Sequence, residues 1–225
     1  MTKVLFLVLG MFLLAPSCRA QTHWGIQAGG LLSNTTGISS GSPDNLLSRK
    51  KNLLGSPQGG LWGDLRMSDY VDFQPHLLFI QKGAALPNTG ETGGAGHLQL
   101  NYLELPLNLM YRIPFEYDDL FIGGGVYGAC GLGGHYTAQS DSSGGTAYSG
   151  PVLFNDRTSS SQDLHLHPFD AGYQAEISYQ CSFGLTFSLH YSRGLTNIST
   201  EGSGRVLNQY AGLSVGYLFH YNTKD

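Results

Sequence analysis

Alternation with a period of two dominates this chain. From Phe183 to Tyr191 the odd positions are large and apolar, while the even positions between them are small or polar. The stretches Phe169 to Tyr179 and Ala211 to Tyr221 repeat the pattern. Side chains on a strand point to opposite faces in turn, so each stretch reads as a two-faced strand. Earlier strands run from His23 to Leu32, Gln58 to Met67, Val71 to Gly83, Gln99 to Ile113 and Leu120 to Tyr136. Eight strands are therefore expected, separated by breaks rich in Gly, Ser, Asn and Asp, and no stretch has a helical period.

The breaks alternate in length. Ser68 to Tyr70, Pro114 to Asp119 and Gln180 to Ser182 are short. Ser33 to Pro57, Ala84 to Leu98, Thr137 to Pro168 and Leu195 to Leu207 are long. In an up-and-down meander this places every short turn at one end, together with both termini, and every long loop at the other. An even strand count with such lopsided connections is the layout of a transmembrane β-barrel. The fold expected is an all-β, eight-stranded antiparallel up-and-down transmembrane β-barrel.

Composition decides which face meets what. Charged residues make up only 12% of the 225 positions, about half the share usual in a soluble domain. A soluble barrel of lipocalin type needs a charged exterior, and the polar faces here are small and nearly free of lysine. They suit a narrow lumen filled by side chains, which leaves the apolar face to lipid. The 32 glycines argue against helices. A net charge of −4 offers no basic footprint, so no nucleic-acid partner is expected.

With that polarity the lumen collects Asp64, Arg66, Asp72, Lys82, Glu104, Arg112, Asp170 and Glu176. Isolated buried charges are costly, so these must pair or change protonation. They read as an ion-pair network plugging the barrel, with a proton or ion path as the sharper alternative. His76, His135, His190 and His220 fall on the same face. Arg193 is the exception on the lipid side, near the long-loop end, either facing outer headgroups or turned inward by a bulge. Outward Trp24, Phe73, Tyr111, Tyr179, Phe183 and Tyr221 form one candidate aromatic girdle, and Tyr136, Phe169 and Tyr191 the other. Pro75 and Pro106 lie nearly opposite one another and lack ladder donors, which predicts a shared irregularity, a bulge, in their hairpin. Cys130 and Cys181 sit too far apart along the strands for a disulfide.

Residues 1–20 read as a secretory signal peptide. Lys3 supplies the positive start, Val4 to Leu14 the apolar run, and Cys18 and Ala20 the small residues before cleavage. A lipid-modified Cys18 is the alternative, against which stands the missing Leu upstream. Residues 21–225 then form one barrel domain in the outer membrane.

Several stretches in this order resemble the Bacteroidetes outer-membrane β-barrel family labelled PorT-like, with its OmpA-type eight-stranded fold. They are Phe79 to Gly83, Tyr102 to Leu107, Gly123 to Tyr127, Phe169 to Gly172, Tyr191 to Leu195, and the closing Gly212 to Phe219. Tyr210, Gly212, Val215 and Tyr217 are similar to the signal read by the barrel-assembly machinery, although the chain continues through Asn222 to Asp225. The resemblance implies location and fold, and it includes members tied to secretion and gliding machinery.

Candidate chemistry is sparse. His165 and His167, with Asp163 before them and His97 on a neighbouring loop, have spacing that can share a metal. Solvated loop histidines are the commoner reading. His190 and Ser192 are similar to the His-x-Ser pair of outer-membrane lipid A deacylases, but parity turns both into the lumen. Asn34 and Asn197 begin glycosylation sequons that a bacterial secreted chain seldom uses. No cofactor is expected. The leading expectation is a monomeric, non-enzymatic barrel meeting lipid, the assembly machinery and a protein partner at its loops. An accessory role in a secretion or gliding apparatus, and a lipid-modifying hydrolase, are the alternatives.

Overall fold

The computed structural model describes residues 22–39, 53–86, 96–138, 148–154, 164–200 and 204–219. The residues read as a signal peptide and its cleavage site, Cys18, Asp163, His220, Tyr221 and the final residues lie outside the described residues. The long strands are β1 (Thr22–Ser39), β2 (Leu54–Arg66), β3 (Val71–Leu86), β4 (Gly96–Pro114) and β5 (Asp119–Ala138), followed by β8 (Phe169–Gln180), β9 (Leu185–Gly194) and β10 (Gly204–Phe219). Each pairs antiparallel with its neighbours, in the order β4-β3-β2-β1-β10-β9-β8-β5, and β4 pairs with β5 to close a ring of eight. Two short strands, β6 (Tyr148–Phe154) and β7 (Leu164–Leu166), were not expected; they lie within the stretch read as one long loop.

The short turns are where alternation ends. Phe115 donates to the Asp118 carbonyl, and Gly184 to that of Cys181. Gly184 adopts φ of +92°, which a side-chain-bearing residue takes only with strain. That turn absorbs Phe183, expected as the start of a strand, and leaves it outward and exposed.

The strands differ in height. A tilted strand of about 9–11 residues spans the apolar layer of a membrane. β9 has 10 residues and β8 has 12, whereas β1, β4 and β5 have 18, 19 and 20. The tall side therefore rises above the short side. Beyond Cys130, which pairs with Phe169, the edge of β5 pairs with β6 instead of β8, and β6 pairs in parallel with β7. Leu166 bridges Ser199, His167 donates to the Ile198 carbonyl, and Ile198 donates to Val206 of β10. An upper storey thus closes through β6, β7 and residues 198–199 above the tops of β8 and β9.

β4 shows how the two storeys differ. From Leu103 to Ile113 its outward positions are apolar, and the inward ones include Glu104, Asn108 and Arg112. Above them the assignment reverses: His97, Gln99 and Asn101 face out, while Leu98, Leu100 and Tyr102 are buried inside. These join Leu31, Ile80, Val152, Leu164, Leu166, Ile198 and Val206 in one apolar cluster. The lower storey is a membrane barrel with a polar lumen. The upper storey packs its apolar residues inside and sets His97, Gln99, Asn101 and His135 outside, the order of a water-soluble β-domain, with Leu132 and Leu153 also exposed there.

Two expectations are corrected. The bulge does not fall at the prolines: the β3–β4 ladder skips His76 and Leu77 opposite Leu105 and Pro106 with its register unchanged. It falls in the next hairpin, where Asn101 pairs with Gly133 and Tyr102 with Gly131, leaving Leu132 as the extra residue. Gly133 takes φ of +152° beside it. One extra residue flips every side chain above it. Tyr136, expected in the outer girdle, is therefore buried in the upper core, and His135, expected in the lumen, is exposed. Below the bulge parity is undisturbed, and Trp24, Tyr111, Tyr179, Phe169 and Tyr191 are outward and exposed. Cys130 and Cys181 are both free.

Candidate functional site

The lumen holds three groups of polar side chains in succession from the short-turn end. Arg112 of β4 organises the first. Its Nε and Nη2 donate to Asp72 Oδ2 at 2.8 and 2.5 Å. Nη2 also lies 3.6 Å from Asp64, and Nη1 lies 3.9 Å from Asp119 at the foot of β5. The guanidinium stacks over Phe121 at 5.2 Å, which covers the face that makes no hydrogen bonds. Gln74 donates to the second oxygen of Asp64 at 3.1 Å, and half-buried Arg66 lies opposite Asp72 in register. Asp119 was missed from sequence because it was assigned to a turn; it is the first residue of β5 and faces inward.

Amides dominate the second group. Glu176 accepts from Asn108 Nδ2 at 2.9 Å, Asn108 accepts from Gln174 at 2.9 Å, and Gln174 accepts from the Ser192 hydroxyl at 3.2 Å. His76 stacks with Trp62 at 5.9 Å and contacts Gln27 through Nδ1 at 3.3 Å. His190 meets Tyr210 edge-on at 5.8 Å.

The third group surrounds Lys82 of β3. Its ammonium lies 2.6 Å from Glu104 and 3.2 Å from Asp170, with Tyr127, Tyr210 and Tyr102 rings at 4.5, 5.0 and 5.1 Å. Tyr210 donates to Glu104. Asp170 also accepts from Asn208 and Thr196, each at 2.9 Å. Lys82, Glu104 and Asp170 are each no more than 2% exposed. The apolar upper core begins at Tyr102 and Ile80, so this ion cluster forms the floor of that core.

The structure thus divides the eight charges expected in the lumen between groups: Asp64, Arg66, Asp72 and Arg112 near the short turns, Lys82, Glu104 and Asp170 below the upper core, and Glu176 between them among amides. Parity made these residues legible; their grouping depends on stagger between strands, which alternation does not carry. His190 and Ser192 are buried in the lumen. The Ser192 hydroxyl is committed to Gln174, so the pair does not present a nucleophile to lipid. His165 is buried in β7, His167 is half-buried and His97 is exposed. Among the described residues no group of three His, Cys, Asp or Glu side chains is placed to hold a metal. On β10, Tyr210 and Gly212 face inward, while Val215 and Tyr217 are exposed on the outer wall.

An outer wall of exposed Ile26, Leu61, Leu109, Ile122, Leu189 and Leu213 around a charged interior is the reverse of a water-soluble barrel. The family model described as an outer membrane protein beta-barrel domain matches residues 17–200. The chain belongs to that family. The barrel is therefore an outer-membrane protein. Among solved structures it is similar to Ail, the attachment invasion locus protein of Yersinia pestis. That match has 14% identity and a TM-score of 0.44, covering 88% of this chain and 98% of that one. Neisserial surface protein A matches at 12% identity and a TM-score of 0.41, over 86% and 96%. OprG from Pseudomonas aeruginosa matches at 13% and 0.40, over 89% and 97%. No curated protein matches the barrel in sequence.

Proposed function

We propose that this barrel is a non-enzymatic, monomeric interaction protein that presents its long-loop end outside the cell, on a lumen closed to diffusion. The upper storey carries the reading. Five of the eight strands of the ring have 16 or more residues, well beyond membrane need, and their extension builds a packed core with polar residues outside. Such an extension serves no purpose in lipid; it is a rigid platform in water from which loops can meet a partner. The ion clusters and tyrosines fill the narrow lumen beneath it. Cleavage after Ala20 leaves both termini in the periplasm, and the assembly machinery reads the last strand during insertion.

Crosslinking in intact outer membranes, followed by mass spectrometry, tests this. Lys50 and Lys51, in the segment between β1 and β2, are expected to link to a protein outside the cell. Links confined to Lys224 and periplasmic proteins, or stepwise conductance in a planar bilayer, would overturn the reading. A captured partner belonging to a secretion or gliding apparatus would move the assignment to the accessory role that PorT-like resemblance implies.

A further inference from the structure

Arg193 of β9 sets an unexplained charge on the outer wall. Among the strand residues whose side chains are described, it is the only exposed Asp, Glu, Lys or Arg. It is exposed, the ladders on both sides of it are regular, and its register neighbours are Tyr173 on β8 and Gln209 on β10. β9 ends at Gly194, so Arg193 lies at the outer edge of a strand just long enough to span the membrane. That is headgroup level.

The same wall is recessed below it. An apolar groove of about 450 Å³ crosses β1, β10, β9 and β8, lined by Ala28, Val215, Leu213, Leu189, Phe187 and Ile177. Leu189 lies four residues below Arg193, about 13 Å along the strand. Between them, Tyr191 is flanked in register by Ala175 and Ala211. The groove itself ends at Leu189, and an acyl chain seated in it reaches Arg193 by passing over Ala175 or Ala211 beside the Tyr191 ring. A cation above an apolar channel matches an anionic head on an acyl chain. A guanidinium takes two phosphate oxygens at once, and the Tyr173 hydroxyl and Gln209 amide stand beside it as further donors.

We propose that Arg193 and this groove form a binding site for an anionic, phosphate-headed lipid of the outer leaflet. The site rests on the lipid-facing wall and is independent of what the loops bind. Full-length mature barrel in neutral detergent, titrated with phosphatidylglycerol and read by native mass spectrometry, tests it. Wild type is expected to retain phosphatidylglycerol. Arg193→Gln, with its heat-modifiable gel migration unchanged as proof of folding, should weaken retention about tenfold, the worth of a charge-assisted bond. Gln209→Glu, which sets an acid beside Arg193, should weaken it in the same direction. Ala211→Phe, which raises the wall between the groove and Arg193, should reduce binding of phosphatidylglycerol and of a diacylglycerol with the same chains. Equal retention by wild type and Arg193→Gln overturns the proposal. So does displacement of the lipid by millimolar inorganic phosphate, or diacylglycerol binding as tightly as phosphatidylglycerol.

Discussion

Replacing Lys82 with Met keeps the volume of the side chain and removes its charge. Glu104 and Asp170 would then face each other across the lumen without the ammonium that sits 2.6 and 3.2 Å from them. Neither acid reaches solvent in the folded barrel. Removing one partner of a buried ion pair costs about 3–5 kcal/mol, because a charge stays desolvated and uncompensated. The three tyrosine rings around the ammonium at 4.5–5.1 Å add to the loss, since each such contact is worth about 0.5–2 kcal/mol. The triple variant Lys82→Met, Glu104→Gln, Asp170→Asn removes all three charges, keeps an acceptor oxygen for Tyr210 and one for Asn208, and lets the Thr196 hydroxyl accept from the amide nitrogen that replaces Oδ1. It should return to within about 2 kcal/mol of wild type, since neutral replacement of a buried charge group is often tolerated. Urea unfolding in lipid vesicles, followed by fluorescence of outward Trp24 and lumenal Trp62, measures both. Adding 1 M salt should change the difference little, because salt screens exposed charges far more than buried ones. A single variant within 1 kcal/mol of wild type, or a triple variant as weak as the single, refutes the reasoning.

Two further outcomes concern the turn end and the wall. Tyr179 donates to Asp118 at 2.5 Å and the Ser182 amide donates at 2.9 Å, joining two short turns. The Tyr179 bond, then the Ser182 bond, hold the Asp118 carboxyl below its usual range. A depressed acid contributes stability above its unfolded value near 4 and loses it as pH falls through the folded value. Asp118→Asn should therefore flatten the fall in unfolding midpoint below about pH 4, and an unchanged pH profile would disprove the link. A Cβ at Gly125 would stand 1.8 Å from the Leu107 carbonyl oxygen across the ladder. Gly125→Ala should thus cost about 1–3 kcal/mol in the same urea assay, and a neutral result would show that β4 and β5 can part there.

Much of this was legible from letters. Alternation located the strands because each has one face in lipid and one in a polar lumen. Parity turned Asp72, Glu104 and Asp170 inward for the same reason. It failed where the letters have no side chain to sort: Gly131, Gly133 and Gly134 carry no face, so the extra Leu132 among them passed unseen and His135 and Tyr136 exchanged sides. The upper parts of the strands were hidden differently. Ser33 and Thr35 read as loop residues, yet both are buried, and Ser33 donates to the Gly83 carbonyl at 3.1 Å. Polar letters in a turn-rich stretch look alike whether they are solvated or folded inward. The reversal in β4, by contrast, was written plainly. His97, Gln99 and Asn101 alternate with Leu98, Leu100 and Tyr102, followed by the opposite assignment from Leu103 onward.

That reversal also sets the order of events when the barrel is made. With the long-loop end outside the cell, as proposed above, the upper storey has to travel through the bilayer before it can exist, since its polar exterior cannot rest in hydrocarbon. Its segments must cross extended and condense only on the far side, where burial of Leu98, Leu100, Val152, Leu166 and Ile198 becomes favourable. Once condensed, its apolar side chains are packed inside and polar ones face out. Withdrawal would mean unfolding it first. The storey is a ratchet, and insertion runs in one direction.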